Sequence, residues 1–363
     1  MMNDYKVVII DSFSQWNELS RQWNELLTKS SANTIFLTWE WTFSWAESYL
    51  DPKRTLFILV VYKGDEIVGI APWYIQHLRL GALAVKKIQF LGTPEAGSDY
   101  LDVIIKKGQE KKVTLCLYDF LLKEVPSRWD CCMLQDLVAN SLFLVHFLDK
   151  IEDEGKYAEI RPSSFCPAVV LPKKSEDFFS TLSPNRRQQF RRHLRLLQNG
   201  RELNHSSLNG ENIDKALRDF LALYEEKNEH HDKTIHSFLW NYSTRCGKAK
   251  PLQVDLLTSN GKQIAGLLHL KYQDTLYMYL MAVDKDYFPQ VSIGNVLVGF
   301  CMDKAIESGF SEYDFLKGTE PYKFHWAEGG RSSLNLFYYQ KKIGPLILAM
   351  VKFLKYTAKI MMR

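Results

Sequence analysis

Residues Thr275–Trp326 read TLYMYLMAVDKDYFPQVSIGNVLVGFCMDKAIESGFSEYDFLKGTEPYKFHW, and their reading decides the fold. The nine residues Thr275–Val283 are all apolar, aromatic or Thr, and acidic turn residues, Asp284 and Asp286, follow them. That is the pattern of a buried strand. A loop with Pro289, Gln290, Ser292 and Gly294 comes next. From about Gly294 to Ser308 the apolar residues Val296, Leu297, Phe300, Cys301, Ala305 and Ile306 recur at helical spacing, and Gly309 stops the helix. Tyr313-Asp314-Phe315-Leu316 then returns as a strand. Strand, loop, helix, strand is a βαβ crossover. Its loop enters a helix N-terminus, where free backbone N–H groups and the macrodipole favour a phosphate. The stretch therefore points to an anionic, nucleotide-like ligand.

Composition sets the frame around this unit. The 363 residues are long for one domain and comfortable for two. With 46% hydrophobic, 24% charged and 13% aromatic residues the chain is globular, and a net charge of +4 is too mild to imply nucleic acid. Six cysteines, Cys116, Cys131, Cys132, Cys166, Cys246 and Cys301, show no C-x-x-C spacing and read as reduced, buried thiols. The N-terminal MMNDYKVVIIDSF lacks the charged and apolar regions of a secretory signal, and no apolar run is long enough to span a bilayer. A cytoplasmic protein is expected.

Outward from the central stretch, the chain reads as two α/β halves. Lys6–Ile10 is a first strand, Ser14–Lys29 an amphipathic helix, and Thr38–Tyr49 a second helix whose Trp39, Trp41 and Trp45 read as core packing or as the walls of an aromatic cleft. Lys63-Gly64-Asp65 and Ser259-Asn260-Gly261 each sit between β-rich flanks, a hairpin signal. The two hairpins align without gaps as G-x-x-I-x-G, Gly64 to Gly69 against Gly261 to Gly266. This suggests two copies of one unit. No strand–loop–helix follows the first hairpin, so the first copy lacks the phosphate loop. Lys87–Leu91 is a short strand, and helices at about Lys112–Lys123 and Ser141–Glu154 finish that half.

Ile160–Lys174 carries three prolines and reads as the link. Domains are placed at 1–165 and 166–345, with an amphipathic C-terminal helix at 346–363. Ser183 and Pro184 cap a very basic helix with Arg186, Arg187, Arg191, Arg192, His193 and Arg195, which reads as a solvated face or as a cluster facing an anion. Helices follow at Ile213–Asn228 and Ile235–Ser243. His230-His231-Asp232 lacks a further ligand, so no metal is expected. The tail Ile343–Arg363, with Lys352, Lys355 and Lys359, packs on the protein or touches a membrane surface peripherally without spanning it.

Several segments together resemble one family: FLTWEWTFSWAESY, VYKGDEIVGIAPWY, LSPNRRQQFRRHLRLL, GKQIAGLLHLKYQDTLYMYLMAVD and YDFLKGTEPYKFHWA. They are similar to the CelD/BcsL group of GNAT-superfamily acyltransferase-like proteins linked to cellulose and exopolysaccharide biosynthesis. More distantly they resemble the FemAB peptidyltransferases. The resemblance covers nearly the whole chain, and Asp314 to Lys323 carries most of it. It implies an α/β (α+β) protein of two tandem GNAT folds, each a mixed, mostly antiparallel sheet with flanking helices. Acetyl-CoA or another acyl-CoA would be the substrate held by the second. The usual phosphate loop, R/Q-x-x-G-x-G/A, is altered here to Gln290-Val291-Ser292-Ile293-Gly294-Asn295, with the glycine one place late.

Acyl transfer from a thioester needs a polarised carbonyl, a deprotonated acceptor and a proton for the thiolate. Met281, Ala282 and Val283 are expected to offer backbone groups to the pantetheine arm, and Gln290, Ser292, Gly294 and Asn295 to cradle the pyrophosphate. Asp314 and Glu320 are candidate general bases and Tyr322 the candidate acid, with Lys323 and Lys317 placed to meet an anionic substrate group. The expected activity is acyl transfer to an amine or hydroxyl of a sugar, amino acid or envelope precursor. Two alternatives stand beside it: a Fem-like enzyme using an aminoacyl-tRNA, the one case in which nucleic acid is expected, and a catalytically silent scaffold among polysaccharide-synthesis proteins.

Overall fold

The computed structural model describes residues 4–80, 83–228 and 232–340. The expected tail helix and the first two residues of His230-His231-Asp232 lie outside them. The chain forms two compact units. One holds the residues up to Ser163 and those described from Ser333; the other is Ser164–Ser332.

The first unit runs β1 (Tyr5–Ile10), α1 (Phe13–Glu18), α2 (Ser20–Thr28), α3 (Trp39–Tyr49), β2 (Arg54–Leu56), β3 (Ile58–Lys63), β4 (Glu66–Ala71), β5 (Trp73–Leu80), β6 (Leu83–Phe90), β7 (Ile104–Ile105), α4 (Glu110–Asp119), β8 (Cys131–Val138) and α5 (Leu142–Asp153). One sheet has the order β1-β3-β4-β7 with antiparallel neighbours. The tryptophans read as core are core: Trp41 and Trp45 are fully buried and Trp39 nearly so. Trp41 also donates its indole N–H to Ser98 Oγ at 2.9 Å, so its one polar atom is satisfied. The single helix expected over Ser14–Lys29 is broken at Leu19. Its N–H bonds Trp16 O at 3.1 Å, a tightened turn that keeps both Trp16 and Trp23 inside.

The three-proline segment is not a loose link. Its first two prolines lie in β9 (Ala158–Val170), a strand along which the chain passes from the first unit to the second, and Pro172 lies just beyond it. Proline costs a strand a donor but not an acceptor. Accordingly Pro167 O accepts from Phe315 N–H at 2.9 Å.

The second unit continues with α6 (Ser175–Thr181), α7 (Pro184–Gln198), β10 (Leu203–Leu208), α8 (Ile213–Lys227), α9 (Thr234–Cys246), β11 (Leu252–Ser259), β12 (Lys262–Tyr272), β13 (Thr275–Val283), α10 (Ile293–Glu307), β14 (Glu312–Asp314) and α11 (Lys323–Trp326). β15 (Gly329–Tyr339) returns the chain to the first unit, where it pairs with β8 from Ser333 onward. Within the second unit the strand order is β10-β11-β12-β13-β14-β9. All neighbours are antiparallel except β13 and β14, the parallel pair joined by α10. α10 is apolar almost all round, and its Val296, Leu297, Cys301 and Ala305 enter one core with Leu267, Leu276, Tyr313 and Trp326. A helix that apolar must be covered on several sides, and α7 supplies one cover: Phe190 lies against Gly299, where a Cβ would strike its ring.

The two aligned hairpins share a physical device. Each has a register shift one step before its turn, between Val61 and Tyr62 and between Leu257 and Thr258. In each, the second glycine of G-x-x-I-x-G lies under a helix. A Cβ on Gly69 would overlap Val113 of α4, and one on Gly266 would sit 2.9 Å from Phe220 of α8. Glycine weakens a strand, so its presence marks a close approach. Here a helix needs the space in both copies.

Candidate functional site

The site is built around the splayed pair β13 and β14. Their parallel register runs from Thr275↔Glu312 to Tyr277↔Asp314 and stops there. Beyond it, Met278–Val283 keeps its antiparallel partner β12 and has no β14 partner across the other edge. The β12 register shifts at Leu268/His269, leaving Tyr279 as the extra residue of a bulge. A bulge bends its strand and re-aims the residues beyond it. The result is an open run of backbone that ends beside α10.

The loop from Asp284 to Ser292 is pinned from outside. Asp284 is buried and pairs with Lys262 at 2.8 Å and Lys227 at 3.4 Å, which hold its carboxyl below the usual range, Lys262 foremost. Tyr287 donates to Ser259 Oγ at 3.0 Å. Asp284, read as a turn residue, therefore anchors the loop to the Ser259–Lys262 hairpin. Among the described residues no side chain caps α10 at Ser292; Ile293 N–H bonds Val291 O at 3.0 Å, and the amides of Gly294 and Asn295 follow it in the first turn. Gln290 is exposed and Ser292 half-buried. Asn295 turns its side chain inward, accepting from Trp326 Nε1 at 3.4 Å.

Gly294 has a different role from the one its sequence suggests. A Cβ there would meet Met281 Sδ and Val283 Cγ2, each at 3.3 Å. The missing side chain makes room for β13. Met281 and Val283 are half-buried and face α10, whereas Ala282 is buried.

The residues expected to act on the substrate separate into two pairs. Asp314 and Lys323 are buried and fully engaged. Asp314 Oδ1 accepts from Leu316 N–H at 2.7 Å, and Oδ2 accepts from Arg331 at 3.1 Å. Leu316 has φ of 54°, so this short bond holds the backbone in a region a leucine disfavours. Lys323 Nζ donates to Lys317 O at 2.6 Å and Leu316 O at 3.3 Å, and pairs with Glu320 at 3.1 Å. An ammonium has three donors, and all three are used within the turn it closes. Gly318, at φ of 132°, leaves the space, since a Cβ there would strike Glu320 and lie 2.7 Å from Lys323 Nζ. Lys323 thus ties the turn together. Glu320 is exposed, and Tyr322 is half-buried against the core. Burial, and secondarily the Glu320 charge, push the Tyr322 phenol well above its ordinary range, so it holds its proton.

A buried polar chain beneath α10 has no counterpart in the sequence reading. Asp255 accepts from Gln253 at 2.9 Å and lies 3.0 Å from both His205 and His269, and these partners hold its carboxyl low against the strong opposing effect of burial. His269 in turn contacts the Tyr313 hydroxyl at 2.7 Å. His205, Asp255 and Cys301 offer ligand atoms within 4.8 Å of one another, a set able to hold a metal ion. These residues come from β10, β11, β12, α10 and β14, so no local spacing announces them. Among the described residues no helix is long and apolar enough to cross a membrane.

The second unit carries the fold of a GNAT-type acyltransferase domain. Residues 184–324, from α7 into α11, match the family model of the acetyltransferase (GNAT) domain. No curated protein matches the chain. Among solved structures the chain is similar to FemX, at 10% identity with a TM-score of 0.57, covering 92% of this chain and 97% of that one. It is also similar to a tandem GNAT protein from the clavulanic acid biosynthesis pathway (10% identity, TM-score 0.50, 92% and 98% covered). A third is the C-terminal domain of a putative lysylphosphatidylglycerol synthetase from Agrobacterium fabrum (11% identity, TM-score 0.53, 93% and 97% covered). At such identities these likenesses concern the fold.

Proposed function

We propose that the second unit transfers an acetyl or other acyl group from acyl-CoA to an amine or hydroxyl of a sugar, amino acid or envelope-polysaccharide precursor, as a CelD/BcsL-like protein working in the cytoplasm beside polysaccharide-synthesis proteins. The observation that carries this reading is the open edge of β13 past Tyr277, running to the uncapped start of α10. The pantetheine arm would pair with Met281–Val283, and the pyrophosphate would meet the amides around Gly294 and Asn295. A backbone N–H on that edge would polarise the thioester carbonyl. Glu320, exposed and paired with Lys323, would take the proton from the acceptor. The acceptor atom then bonds to the carbonyl carbon, the C–S bond breaks, and Tyr322 gives its proton to the departing thiolate and regains one from solvent. Isothermal titration of the full chain with CoA and acetyl-CoA tests the donor, and micromolar binding of either is expected. If neither binds at millimolar ligand, the acyl-CoA reading fails.

A further inference from the structure

The outer face of α7 is a wall of guanidinium groups. Pro184–Gln198 contains five arginines and no acidic residue or lysine. The helix packs inward through Phe190, Leu194 and Leu197. Arg187, Arg191, Arg192 and Arg195, with Gln188 between them, centre about 120° round the helix from that stripe, at ~100° per residue. With Pro184 and the half-buried Leu196 they line an open trough of about 650 Å³ whose walls all come from α7. Arg186 is drawn off to Glu328 at 3.4 Å, and Arg187 donates once to Ser180 O at 2.8 Å. Arg191, Arg192 and Arg195 are exposed and have no acidic partner among the described residues.

This arrangement works against the helix that carries it. Arg187–Arg191 and Arg191–Arg195 are like-charge pairs at i,i+4, which weaken a helix. The first turn holds cations and no acid, against the macrodipole. A helix that breaks its local rules without a packing reason marks a function. We propose that the α7 wall binds the phosphodiester backbone of a nucleic-acid strand.

Three features favour that ligand. Arg187, Arg191 and Arg195 form one row with steps of about 6 Å along the axis, which suits a succession of anions better than one compact phosphate. Arginine alone is used, and its planar fork matches phosphate oxygens in pairs. The exposed neighbours are amides, Asn185, Gln188, Gln189 and Gln198, and no large exposed apolar residue falls on α7. A helix made to sit in a lipid surface would present apolar residues beside its cations. Packing of Phe190 on Gly299 fixes the wall in place.

The inference does not rest on the acyl-CoA reading, because binding is measured without turnover. The full chain is titrated against a fluorescein-labelled single-stranded RNA by anisotropy at increasing NaCl. Three neutralised phosphates give a log–log slope of about −2, or ~18-fold weaker binding between ~50 and ~200 mM salt. The triple variant Arg191→Gln, Arg192→Gln, Arg195→Gln should lose that slope at an unchanged melting temperature. The corresponding triple Arg→Lys variant should keep most of it. Three results overturn the proposal: no RNA binding by wild type at ~50 mM salt, a wild-type slope in the glutamine triple, or a slope lost equally in the lysine triple. Displacement of the RNA by phosphatidylserine vesicles or by inorganic pyrophosphate at equal charge would also overturn it, in favour of a lipid surface or a compact phosphate.

Discussion

Gly294→Val, alone and with Met281→Ala, tests where the start of α10 finds its space. A Cβ at 294 would stand 3.3 Å from both Met281 Sδ and Val283 Cγ2 and 3.6 Å from Met281 Cε. The neighbours must therefore give way by a few tenths of an ångström before any methyl is added. Valine is stiff at χ1 and cannot turn both methyls from the strand. Overpacking of this kind costs about 1–3 kcal/mol. Part of that loss should appear in ligand binding, because the strand pushed aside is the edge proposed for the pantetheine arm, and each ~1.4 kcal/mol is tenfold in affinity. Met281→Ala removes the sulfur and methyl that the new side chain strikes, so the double variant should recover much of both losses. A cycle of thermal or denaturant melts, with CoA titration on each protein, reads this as a favourable coupling of about 1–2 kcal/mol, within the range for residues in contact. Additivity of the two substitutions to within ~0.3–0.5 kcal/mol would show that Gly294 does not face β13. If Gly294→Val loses CoA binding at full stability and Met281→Ala gives no rescue, the glycine serves the phosphate after all.

Lys323→Met should cost about 1–3 kcal/mol, because it strands the Leu316 and Lys317 carbonyls that the buried ammonium joins; an unfolding midpoint equal to wild type refutes the clamp. Asp102 gives a pH test in the first unit. Buried, and accepting from Ser141 at 2.7 Å and Val103 N–H at 2.8 Å, it is raised by burial to about 7. Its folded pKa lies above the unfolded value, so between about pH 4 and 7 the folded state keeps a proton that the unfolded chain has released. Its contribution is greatest below pH ~4, falls as pH rises to about 7 and is flat beyond; at ~1.36 kcal/mol per pH unit the whole effect is on the order of 4 kcal/mol. Asp102→Asn keeps an oxygen for both donors and should flatten that slope in urea melts. An unchanged slope in the variant would assign it to another group.

The sequence by itself determined what depends on neighbours along the chain. The β13–α10–β14 crossover was legible because strand and helix periods, a turn rich in Asp and Pro, and the stop at Gly309 are local signals. Ser183 and Pro184 marked the start of α7 for the same reason, and the paired G-x-x-I-x-G segments marked two hairpins. The tertiary structure decided which groups remain free to act. Asp314, Glu320, Tyr322 and Lys323 looked equivalent as a charged and aromatic run, yet Arg331, 17 residues from Asp314, and the carbonyls of one turn absorb half of them. Gly294 looked like a phosphate glycine, and only the position of Met281 showed that it faces a strand. Asp255 and its two histidines meet from three strands. A carboxylate's role is fixed by the charges and donors within a few ångströms of it, and those arrive by packing, across separations that no spacing in the chain encodes.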